Sequence, residues 1–105
     1  IHVEDLATAH VAALDHLKNG GESVTCNVGT GQGTSVMEII ATAERISGRK
    51  VPYELAPRRA GDVAEVYADA SLIRNLMNWE PVRTLDDIIG SAHAWHSAHP
   101  LGHGD

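Results

Sequence analysis

"VTCNVGTGQGTSVMEII", Val24 to Ile40, decides how this chain reads. An apolar run predicts a strand, Val24 to Val28, and leads into glycines at 29, 31 and 33 and then into a helix start. Strand, glycine turn and helix form the setting in which a pyrophosphate rests on a helix N-terminus. The spacing departs from that pattern. Gly29, Gly31 and Gly33 make G-x-G-x-G, and Thr34 stands where the dinucleotide fingerprint wants its third glycine or alanine. Two readings follow: the loop touches a cofactor, or its glycines serve a turn needing positive φ or a close backbone approach.

Working outward, Ser35 and Glu38 form an S-x-x-E capping box. Val36, Ile39, Ile40, Ala43 and Ile46 then make one apolar stripe, and Gly48 closes that helix. Upstream, Asp5 is expected to cap a helix carrying Leu6, Ala9, Ala13, Leu14 and Leu17, which "NGG" at 19–21 stops. Downstream, "VPYELAP" (51–57) and "AEVYA" (64–68) predict short strands around the turn-rich "PRRAGD". Asp69 is expected to cap a short helix ended by "NWEP", and Thr84 a final helix with Leu85, Ile88, Ile89, Ala92 and Trp95. The tail "HPLGHGD" predicts no regular element. The fold class expected is α/β: a small lobe of mixed helices and short strands, with too few strands for a doubly wound sheet.

The 105 residues allow one small domain, and 43% apolar with 21% charged residues is ordinary for a globular chain. The formal charge of −6 argues against nucleic acid or an anionic membrane recognised by bulk charge. The single cysteine, Cys26, has no internal partner and suits a reducing compartment. With no 18-residue apolar span and no basic leader, the expected location is the cytoplasm. The opening "IHVEDLA" reads as the continuation of a longer chain.

Candidate chemistry is sparse. Among the seven histidines, His93, His96, His99 and His103 crowd the end, but no H-E-x-x-H or partner thiol accompanies them, so no metal is expected. Ser35 is explained by capping and lacks the G-x-S-x-G elbow. Asp86 and Asp87 read as negative charge in a helix's first turn. "PRRAGD" differs, because two guanidinium groups and a carboxylate surround a glycine turn in a loop. Arginine can hold phosphate oxygens bidentately, and a nearby aspartate can accept from a sugar hydroxyl. The composition suits a nucleotide or sugar nucleotide and equally suits an exposed, solvated loop.

"IHVEDLATAH", "NVGTGQGTSVMEII", "SGRKVPYELAPRRAGDVAEVYAD" and "NWEPVRTLDDI" together resemble the C-terminal part of the UDP-glucose (UDP-galactose) 4-epimerase family, which are extended short-chain dehydrogenase/reductases. The resemblance runs over nearly the whole chain. "APRRAGDVAEVYAD" is its more specific part. It implies that residues 1–105 are a UDP-sugar-binding lobe, and that NAD is held by a Rossmann domain that this chain does not contain. The glycines of 29–33 would then shape the lobe and hold no NAD. By residue match, Arg59 would bind the UDP diphosphate, Asp62 a uridine ribose hydroxyl, and Val36 would line the nucleotide site. Val66 would stand beside the hexose, and Arg58 would face solvent or a neighbouring carboxylate.

The resemblance further implies a homodimeric parent that interconverts UDP-galactose and UDP-glucose in galactose metabolism, through a 4-keto sugar. The family's Tyr-x-x-x-Lys pair is missing from this sequence: Pro57 lies four places after Tyr53, and Ser71 four places after Tyr67. No catalytic residue is therefore expected within 1–105. Another UDP-sugar epimerase of the same superfamily, or a non-catalytic nucleotide-sugar-binding module, would fit the same residues.

Overall fold

Regular structure in the computed structural model, which describes residues 1–104, consists of four helices. These are α1 (Val3–Lys18), α2 (Val36–Ser47), α3 (Ser71–Met77) and α4 (Leu85–Ala98). The chain divides into two units. One comprises Ile1–Gly33 and Glu65–Arg83, and the other Thr34–Ala64 and Thr84–Asp105.

In the first unit α1 packs on α3 around Ala9, Ala70, Ile73 and Trp79. The expectation that Asp5 caps α1 is corrected. His2 is the cap, its Nδ1 accepting from the Glu4 N–H at 3.0 Å. Asp5 lies inside the first turn, buried, and its two carboxylate oxygens accept from the backbone N–H groups of Val82 (3.2 Å) and Arg83 (3.0 Å). A buried carboxylate needs such donors, and these tie the start of α1 to the segment after α3. Glu4 adds an exposed ion pair to Arg83. Trp79 donates its indole N–H to the Thr8 hydroxyl at 2.9 Å, which satisfies the polar end of a buried ring. Asp69 acts one place from where it was expected. Ala70 is the N-cap of α3, and the Asp69 carboxylate accepts from the Ser71 N–H at 2.9 Å.

In the second unit α2 packs on α4. Both expected caps form as full capping boxes, Ser35 with Glu38 and Thr84 with Asp87. Gly48 ends α2 in the left-handed region, φ +67°, which its lack of a Cβ favours. Arg45 of α2 grips Asp86 of α4 with both guanidinium Nη groups, at 2.9 and 2.7 Å.

The expected strands at 24–28, 51–57 and 64–68 do not form: no strand occurs among the described residues. Apolar alternation makes a segment suited to a ladder, but a ladder requires a second backbone hydrogen-bonded to it, and none is paired with these segments. The mixed helix-and-strand lobe is thus corrected to helices joined by irregular segments. The tail is irregular from His99 to Gly104, as expected, and Asp105 lies outside the described residues. No helix among the described residues is long and apolar enough to cross a membrane.

Candidate functional site

The "PRRAGD" loop lies in the second unit. Gly61, at φ +86°, occupies the third position of a turn closed by the Asp62 N–H donating to the Arg59 carbonyl at 3.2 Å. A positive φ at that position of a turn favours glycine. The turn folds Asp62 back over Arg59. Its Oδ2 accepts from both the backbone N–H and the Nε of Arg59, each at 3.2 Å. The Arg59 side chain is otherwise out in solvent, 87% exposed. The arrangement fixes the base of the guanidinium while presenting its Nη groups, the geometry an anionic ligand can grip. Arg58 is exposed and pairs with no carboxylate among the described residues.

Val36 opens α2 in the same unit, 72% exposed, directly after the Ser35 cap. Val66 belongs to the first unit and is 80% exposed. Arg59 and Asp62 are therefore the two candidate residues in direct contact. Sequence spacing did not reveal what faces the glycine loop. Gly29 lies against Ala68, and Gly33 against the Tyr67 ring and the Glu65 carboxylate. Gly29 and Gly33 are thus crowded on the side where a Cβ would stand, while Gly31 is open there.

Groups with displaced pKa values sit elsewhere. Glu38 is lowered by the Ser35 backbone N–H and hydroxyl, and Asp69 by the Ser71 backbone N–H and hydroxyl. Asp86 is lowered, and Arg45 raised, by their mutual hydrogen bonds. All four are explained by capping or by the α2–α4 clamp, which are structural contacts. The terminal histidines gather on an indole. Trp95 meets His96 edge-on at 4.9 Å, stacks with His99 at 4.9 Å, and tilts against His103 at 5.1 Å. Among the described residues no group of three or more His, Cys, Asp or Glu side chains could hold a metal ion.

The whole length of this chain aligns, at 44% identity over 105 residues, with UDP-glucose 4-epimerase of Bifidobacterium longum subsp. longum. The chain is homologous to a portion of the UDP-glucose 4-epimerases. It spans 31% of that epimerase. The crystal structure of UDP-glucose 4-epimerase from Bifidobacterium longum, in complex with NAD+ and UDP, superposes with a TM-score of 0.88 at 43% identity. That match covers 98% of this chain and 30% of the epimerase. The UDP-Glc/GlcNAc 4-epimerase from Campylobacter jejuni superposes with a TM-score of 0.84 at 48% identity, over 93% of this chain and 30% of its own. No family model matches the chain.

Proposed function

We propose that this chain is the C-terminal UDP-sugar-binding lobe of a cytoplasmic, homodimeric UDP-glucose 4-epimerase of the extended short-chain dehydrogenase/reductase superfamily. The intact enzyme would interconvert UDP-galactose and UDP-glucose in galactose metabolism. The observation that carries this reading is the end-to-end homology to an epimerase crystallised with NAD+ and UDP. NAD would belong to a part of the enzyme outside this chain, the Rossmann domain that the resemblance implies.

The role of the lobe is grip. Arg59, braced by Asp62, would hold the diphosphate as a charge-assisted clamp. The remaining capacity of the Asp62 carboxylate would accept from a ribose hydroxyl, and Val36 would line the nucleotide. Such contacts position the sugar and leave the chemistry to other groups.

A finer reading concerns the hexose. Val66 is small and exposed. Beside the sugar it would leave room for a 2-acetamido group, so that UDP-N-acetylhexosamines are accepted as well. Homology to a UDP-Glc/GlcNAc 4-epimerase supports this. The test is an assay of the full-length enzyme carrying this chain, with UDP-galactose and UDP-N-acetylgalactosamine. Turnover of neither would refute the epimerase assignment. Turnover of UDP-galactose alone would refute only the hexose reading.

A further inference from the structure

The three glycines of the loop serve different ends. Gly31 makes the turn, at φ +75°, with open space where a Cβ would stand. Gly29 and Gly33 lack that backbone conformation and are crowded instead. A Cβ on Gly29 would sit 2.8 Å from the Ala68 Cβ, and one on Gly33 would sit 3.3 Å from Tyr67 Cδ1 and 3.8 Å from Glu65 Oε1. Tyr67 can yield by turning its ring. Ala68 has no flexible end, and two residues on the chain enters the buried Ala70–Ile73 core, so relief there must move backbone. Glu65 and Tyr67 both reach Gly33, the same-side spacing of an extended segment, and Val66 between them is left exposed.

We propose that Gly29 is a positioning residue for hexose selection. Its bare backbone lets the 65–68 segment lie close, and that fixes how far Val66 projects. Gly29 acts through Ala68 and touches no sugar. The inference rests on the reading above in which Val66 borders the hexose.

The test uses the full-length enzyme carrying this chain. kcat/KM for UDP-galactose and UDP-N-acetylgalactosamine is compared in the unsubstituted enzyme, Gly29→Ala, Ala68→Gly and the double variant. Gly29→Ala is expected to change the ratio of the two values on the order of tenfold. The double variant moves the Cβ from one side of the contact to the other, and should return the ratio to within about twofold of the starting enzyme. Gly90→Ala, where a Cβ meets nothing within 4 Å, should leave the ratio unchanged. If Gly29→Ala does not fold, Ala68→Ser, which adds one atom on the other side of the same Gly29 contact, gives the comparison. An equal loss for both sugars, or a ratio that the second substitution does not restore, overturns the proposal and leaves these glycines as packing. No turnover of either sugar by the unsubstituted enzyme overturns the epimerase reading and the proposal with it.

Discussion

The Asp62 carboxylate braces Arg59 twice, at the backbone N–H and at Nε, both 3.2 Å, and leaves the two Nη groups to solvent. A guanidinium held at its base loses less freedom when it closes on a diphosphate. In the full-length enzyme, Arg59→Ala is therefore expected to raise KM for the UDP-sugar roughly tenfold to a hundredfold, the loss of a charged contact of about 1.5–3 kcal/mol, with kcat moved less. Arg58→Ala, at an unpaired neighbour, should do much less. Equal effects at the two positions would mean that the arginines share the clamp.

Val66→Tyr is expected to suppress turnover of UDP-N-acetylgalactosamine while largely sparing UDP-galactose, since a bulky side chain penalises only the larger sugar. Paired kcat/KM measurements decide it. A uniform fall would make Val66 a packing residue.

Asp5→Ala strips the acceptor from two backbone N–H groups, those of Val82 and Arg83. Stranding them should destabilise the full-length enzyme by about 2–4 kcal/mol, read as a lower urea midpoint. Glu4→Ala removes only the exposed pair to Arg83 and should cost less than about 1 kcal/mol. Comparable shifts from the two would contradict the assignment of Asp5 as the anchor.

Hydrogen bonds from Arg45 hold the Asp86 carboxyl below its ordinary value of 3.8. A carboxylate lowered on folding stabilises the fold above its unfolded value, and that contribution disappears as pH falls through the lower, folded value. The melting-temperature gap between the unsubstituted enzyme and Asp86→Asn should thus be present at neutral pH and shrink once the pH drops below 3.8. A gap that widens on acidification would reverse the sign of this interaction.

Residues 1–105 on their own are expected to show no epimerase activity, because hydride transfer needs a bound nicotinamide and a positioned base, and this sequence carries no Tyr-x-x-x-Lys pair. Turnover of UDP-galactose by that purified chain would contradict the expectation.

What could be read from the sequence was what is decided locally. Ser35 with Glu38, Thr84 and Gly48 act within one helical turn of their own positions, and each stands where spacing put it. Asp5 misled because an acidic residue before an apolar run looks the same whether it caps its own helix or accepts from residues 77 and 78 places away. The Arg45 grip on Asp86 spans 41 positions and leaves no local trace. Apolar alternation at 24–28, 51–57 and 64–68 describes side-chain faces and says nothing of whether a second backbone lies alongside. For the candidate site, the turn chemistry of "PRRAGD" was legible, while the contact between Gly29 and Ala68 required both segments in place.

The two indoles of this chain sit in different units, and so each unit has its own reporter. Trp79 is sealed in the first, bonded to Thr8, where its emission should be blue-shifted. Trp95, in the second, lies within about 5 Å of three imidazoles, a polar surrounding in which its emission should differ from that of Trp79. Replacing either tryptophan by phenylalanine would leave a single fluorophore, through which the melting of one half can be watched without the other.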